Sequence, residues 1–92
     1  MNEPPSWTFL SNYSHVLICL AKEPDLRMRD VAERVGITER AVQRIVRELS
    51  QEGILRLEKQ GRRNLYHVDL SRHLRHPLEA HHTIGDLIRA VY

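Results

Sequence analysis

The sequence predicts a small α+β domain, mainly α, in which a three-helix core carries a β-hairpin and an additional helix closes the chain. Three observations predict it. Apolar residues recur at helical spacing in several separate stretches, the period changes to near-alternation after Gly53, and glycine or proline stands at the junctions. With 92 residues there is room for one domain, near the lower limit at which a single core suffices without disulfides or metal. Residues 1–92 are therefore read as one unit.

Residues 1–7, with Pro4 and Pro5, form an expected N-terminal arm. From about Thr8 to Lys22, Phe9, Tyr13, Val16, Leu17 and Leu20 keep helical spacing. Trp7, Ile18 and Cys19 widen the apolar surface, and Glu23-Pro24 stops the run. Arg27 to Val35 gives a short second helix with Met28, Val31, Ala32 and Val35 inward and Gly36 as its terminator.

The third helix lies in Ile37 to Leu55. Thr38 suits the N-cap, Glu39 the positive end of the helix dipole, and Ile37 is placed to staple back onto Val42. Val42, Ile45, Val46 and Leu49 form the inward stripe. At roughly 100° per residue, Arg40, Gln43, Arg44, Arg47 and Gln51 gather on the opposite side, with Glu48 and Glu52 on a flank. That outward face carries guanidinium and amide groups, whose donor and acceptor forks match guanine O6/N7 and adenine N6/N7 in a major groove. Two short helices joined by a glycine-containing turn, the second with a polar outer face, form a helix-turn-helix over residues 28–53.

Residues 54–70 read as a hairpin. Its tip holds Lys59, Arg62 and Arg63 around Gly61, with Tyr66, Val68 and Leu70 on one side of the returning strand. A charged tip is either a solvated turn or a wing that reaches the DNA backbone or minor groove. Its position directly after a helix-turn-helix favours the wing.

Ser71 to His76 is a polar connector, and Pro77 stands where a first helical residue would, so the last helix is expected over 77–92. Ile84, Leu87, Ile88 and Val91 form a second stripe at helical spacing. It either covers the core or meets the same helix of a second subunit, and the second reading is favoured, because a two-fold dimer sets two readers one DNA turn apart. Gly85 costs the helix about 1 kcal/mol and would permit a close helix crossing.

Met28 to Leu55, MRDVAERVGITERAVQRIVRELSQEGIL, followed by Gly61 to Val68, GRRNLYHV, resembles the winged helix-turn-helix transcriptional regulators of bacteria and archaea, of MarR-like and ArsR-like type. The resemblance covers about residues 9 to 70. It implies a sequence-specific regulator that binds double-stranded DNA as a homodimer paired through terminal helices. It places DNA contacts at Thr38, Glu39, Arg40, Gln43, Arg44 and Arg47, with Arg62 and Arg63 at the wing; Lys59 joins them from the charge of the tip. The chain departs from the pattern at Arg27, where a capping Ser or Thr is usual, and in being shorter than typical MarR-like proteins, which leaves less room for a ligand pocket.

Other functions have weaker support. The six histidines include His73, His76, His81 and His82 in one region, which keeps open an ArsR-like metal sensor, but Pro77 splits the group and no metal or cofactor is expected. No nucleophile elbow, phosphate loop or HExxH arrangement is present, so an enzyme is not expected. A winged helix that binds protein would show apolar or acidic groups where Arg40, Gln43, Arg44 and Arg47 stand. Cys19, alone in the sequence, reads as a buried thiol. No leader pattern opens the sequence and no apolar run reaches membrane-spanning length, so a cytoplasmic protein with no membrane partner is expected.

Overall fold

The computed structural model describes residues 5–92, so residues 1–4 of the expected arm lie outside the described residues. The elements run α1 (Asn12–Lys22), α2 (Met28–Val35), α3 (Glu39–Gln51), β1 (Leu55–Gln60), β2 (Arg63–Val68) and α4 (Ile84–Val91). Among the described residues no helix is long and apolar enough to cross a membrane.

The core is built from the stripes that the spacing marks. Val16, Leu17 and Leu20 of α1, Val31 and Ala32 of α2, and Val42, Ile45, Val46 and Leu49 of α3 are buried together, with Ile54, Leu55 and Tyr66 closing the hairpin side. Ile37 packs half-buried against the same cluster. The α3 N-terminus is capped as expected: the Thr38 hydroxyl oxygen accepts a hydrogen bond from the Ala41 amide at 3.0 Å. At α2 the N-cap Arg27 makes no side-chain cap, and its Nε meets Asp30 at 3.4 Å instead.

β1 and β2 pair antiparallel from Leu55↔Val68 to Gln60↔Arg63, which leaves Gly61 and Arg62 as the turn. Gly61 has φ +63° and, among the described residues, no non-glycine residue has positive φ, so only the first turn position is left-handed, as a type II′ hairpin requires. The β2 strand is tied to the α1–α2 connection by Tyr66 N–H donating to Pro24 O at 3.0 Å.

Several expectations are corrected. The first helix begins at Asn12, not near Thr8. The Thr8 hydroxyl donates to Leu10 O at 2.6 Å in a local turn, and Phe9, expected on the core stripe, is 93% exposed and stacks edge-on against Trp7. The returning strand, read as reaching Leu70, ends at Val68, and Leu70 beyond it is exposed.

The last helix begins at Ile84, not at Pro77. Residues 77–83 form successive tight turns, with Glu79 N–H donating to His76 O and His82 N–H to Glu79 O. A bridge between His73 and Thr83 folds this segment back on itself. The helix start is set by a capping box: Thr83 Oγ1 accepts from Asp86 N–H at 3.1 Å, and Asp86 accepts from Thr83 N–H at 3.0 Å.

The α4 stripe is also divided. Ile84 (3% exposed) and Ile88 (6%) are buried in the protomer's own core, Leu87 is half-buried, and Val91 is exposed. Gly85 serves a close approach of a different kind from the helix crossing expected. A Cβ there would meet the Leu70 carbonyl oxygen at 3.0 Å, and Gly85 N–H donates to that same oxygen at 2.9 Å.

Two outcomes follow from this packing. Ile88→Ala is expected to lower the unfolding free energy by about 2–5 kcal/mol in a urea titration; a change within experimental error would show that α4 does not contribute to the core. The Asp86 carboxyl is held well below the usual carboxylate range by the Thr83 amide, then by His82 and Arg89. A depressed folded-state value means that this stabilisation is complete above the ordinary carboxylate pKa of about 4 and fades as pH falls below it. Asp86→Asn should therefore lower Tm at neutral pH and flatten the loss of Tm between about pH 4 and 2; an unchanged acid limb would remove Asp86 from that role.

Candidate nucleic-acid interface

The inward stripe of α3 decides what faces solvent. With Val42, Ile45, Val46 and Leu49 buried, Thr38, Glu39, Arg40, Gln43, Arg44 and Arg47 are all exposed. Among the described residues Arg40, Gln43 and Arg47 make no side-chain hydrogen bond or ion pair within the chain, so their donors are available to a ligand. Thr38 spends its oxygen on the cap and keeps its hydroxyl proton to donate.

Arg44 is different. Its Nη1 donates to the Tyr13 hydroxyl at 3.3 Å and to Glu48 Oε1 at 3.1 Å, while the Tyr13 hydroxyl donates to Glu48 Oε2. The Tyr13 hydrogen bond, followed by Glu48, raises the Arg44 pKa above its usual value, and the Tyr13 bond, followed by Arg44, holds the Glu48 carboxyl below its own. Tyr13, expected as one more residue of an apolar stripe, thus ties α1 to the edge of the reading face. Arg44 remains 56% exposed.

The hairpin tip stands beside the N-terminus of α3. A groove of about 510 Å³ runs between them, lined by Asp25, Leu26, Arg27, Met28, Glu39, Arg62, Arg63, Asn64 and Tyr66. Lys59, Arg62 and Arg63 are exposed as expected, but Arg63 is ion-paired with Asp25 of the α1–α2 connection. Arg27, absent from the expected contacts, joins this groove from the start of α2. The signal was in the sequence, as an arginine at a position where a cap would be usual. The groove thus gathers Arg27, Arg62 and Arg63 against Asp25 and Glu39, a net cationic edge suited to a phosphate backbone.

The remaining residues of interest do not converge on chemistry. His73 Nδ1 bonds Ala80 O at 2.8 Å, His76 Nδ1 accepts from Leu78 N–H, and His82 Nδ1 meets Asp86 at 3.1 Å. Among the described residues no three His, Cys, Asp or Glu side chains are grouped to hold a metal ion. Cys19 is half-buried and burial pushes its thiol pKa up, so it is a poor nucleophile. A second cleft, of about 410 Å³, is lined by residues that include Tyr13, Leu17, Glu48, Leu49, Leu74, Ile84 and Leu87.

Residues 14–61 match the family model described as winged helix-turn-helix DNA-binding, which spans half of the chain and includes α2, α3 and β1. The chain belongs to that family. No curated protein matches the sequence. Among solved structures it is similar to the PcaV transcriptional regulator from Streptomyces coelicolor, determined in complex with its natural ligand, at 33% identity and TM-score 0.55, covering 65% of this chain and 45% of that one. It is similar in fold to the zinc-dependent MarR-family transcriptional regulator AdcR in its Zn(II)-bound state, at 24% identity and TM-score 0.52, covering 75% of this chain and 49% of that one. The chain spans about half the length of these structures. The family is thus that of the DNA-binding winged helix-turn-helix proteins, and the fold is one this chain shares with both regulators.

The Asp25–Arg63 pair makes a directional expectation. Asp25→Asn should free Arg63 for phosphate, tighten binding to any duplex, and steepen the dependence of log affinity on log salt by about one contact's worth. Fluorescence anisotropy over a salt series measures it; an unaltered slope would mean that Arg63 does not reach the backbone.

Proposed function

We propose that the protein is a sequence-specific transcriptional regulator that binds a near-palindromic duplex site as a homodimer in the bacterial cytoplasm. In this reading residues 28–53 place α3 in the major groove, residues 54–70 set the wing against the adjoining backbone, and α4 lies at the subunit interface. The observation that carries it is the outward face of α3: Arg40, Gln43 and Arg47 are exposed with no partner among the described residues, beside a groove edged by Arg27 and Arg62. Arginine and glutamine are the side chains that read guanine and adenine bidentately, and an acidic or apolar protein-binding face would need other residues there.

The homodimer reading now rests on less of α4 than its apolar spacing suggested. Ile84 and Ile88 serve the protomer's core, which leaves Leu87, Val91 and Tyr92 to offer apolar surface to a second copy. Paired readers one DNA turn apart give the affinity that a single winged helix lacks, and two-fold symmetry supplies that spacing. The sensing of metal through His73, His76, His81 and His82 has no grouped ligand set among the described residues to support it.

Selection of bound fragments from random duplex DNA tests the whole reading. Enrichment of one palindromic motif is expected, and enrichment of nothing would end it. Arg47→Ala should then weaken binding to the selected duplex by about 1–3 kcal/mol and relax one base position in each half-site; an unchanged preference would remove Arg47 from base reading. Val91→Asp, which spares the core, should shift sedimentation toward monomer, and no shift would place the interface elsewhere.

A further inference from the structure

We infer that Tyr13, which lies outside the helix-turn-helix, is a positioning residue for DNA recognition: with Glu48 it fixes the Arg44 guanidinium by one nitrogen and leaves the opposite edge set for a base. This rests on the reading of α3 as the DNA reader.

The donor count leads there. A guanidinium has five N–H donors in a planar fork, two on each Nη and one on Nε. Both Nη1 hydrogens are committed, one to the Tyr13 hydroxyl oxygen at 3.3 Å and one to Glu48 Oε1 at 3.1 Å. The Tyr13 proton goes to the second Glu48 oxygen, so tyrosine, carboxylate and guanidinium close a ring in which each holds the other two. The three donors on Nε and Nη2 remain, and they form the side-on fork that pairs with guanine O6 and N7. An exposed arginine paired only to a glutamate one turn away is free to swing, since such pairs are weak. A second anchor from a different helix fixes the plane of the group.

Position and charge support the same assignment. On the α3 helix Arg44 sits at the edge of the outward face, on the Glu48 side, whereas Arg40 and Arg47 lie nearer its centre and have no such tether. The Glu48 carboxylate offsets the Arg44 charge, so Arg44 adds little to the general attraction for phosphate. What it contributes depends on orientation, which is the property that distinguishes one base pair from another.

The test uses the full chain carrying Tyr13→Phe, Arg44→Ala, both together, or Glu48→Gln, each taken through duplex selection and through binding to the selected and to an unrelated duplex. Tyr13→Phe removes one oxygen from a half-buried ring, and its thermal melt controls for a change of fold. Expected are a loss of about three- to tenfold on the selected duplex, no change on the unrelated one, and relaxed preference at the same base position that Arg44→Ala relaxes. Tyr13→Phe combined with Arg44→Ala should bind no worse than Arg44→Ala alone. Should Tyr13→Phe melt early, Glu48→Gln, which leaves α1 untouched, is expected to relax that same position. A wild-type preference in both Tyr13→Phe and Glu48→Gln, or losses that add in the double variant, would overturn the positioning role while leaving the DNA-reading function intact; a wild-type chain that selects no sequence would overturn both.

Discussion

Burial of one stripe of α3 is the constraint on which the molecule depends. Val42, Ile45, Val46 and Leu49 are all in the core, and each aliphatic side chain so buried contributes about 1.5–3 kcal/mol. The Thr38 cap adds about 1 kcal/mol and so assists without deciding. A rotation of α3 by one residue would expose Ile45 and press an arginine inward, at a cost that no local preference offsets. The outward direction of Arg40, Gln43 and Arg47 is therefore set by the groups on the far side of the same helix. The cationic face is a by-product of the apolar one.

The cations around that face differ in how they are held. Arg40 and Arg47 extend from the helix with no partner among the described residues, Arg44 is closed into a ring with Tyr13 and Glu48, and Arg63 is drawn to Asp25. In water an exposed ion pair contributes little to stability, so these carboxylates are poorly explained as structural supports. Their effect is on the arginines. A tethered guanidinium has fewer orientations to lose and less net charge to spend on unspecific attraction, whereas a free one binds any phosphate. A small domain thus holds both tethered and free guanidinium groups within a few residues of sequence.

Much of this was legible in the sequence, and the limits have physical causes. The period of 3.6 fixed α2 and α3 to within a residue or two, Thr38 announced its cap, and Gly61 announced the hairpin turn. Periodicity failed where a long-range pairing competed with it. Pro77 looked like a helix start, but the bridge of His73 to Thr83 holds residues 77–83 in turns, and the capping box of Thr83 with Asp86 begins the helix later. Thr83 and Asp86 stand at the spacing of such a box, but the expected start at Pro77 placed both inside the helix. Spacing also shows that a helix has an apolar side without showing what covers it, which is why Ile84 and Ile88 looked available to a second subunit. The ring of Tyr13, Arg44 and Glu48 joins residues 31 and 35 positions apart, and no local pattern predicts it.

The place of Ile84 and Ile88 in the protomer's own core would separate folding from the proposed pairing of two copies. Because α4 already has its inner stripe covered, burying Ile84 and Ile88 does not call on a second copy, and the proposed homodimer would have only Leu87, Val91 and Tyr92 of this segment to pair through. For the proposed homodimer, a concentration below the pairing constant would leave most copies single. Occupancy of a two-fold site would then climb with the square of the amount of protein, so that a doubling of synthesis gives about a fourfold rise in bound sites at low coverage. Supply, as much as any signal molecule, would set the threshold of response.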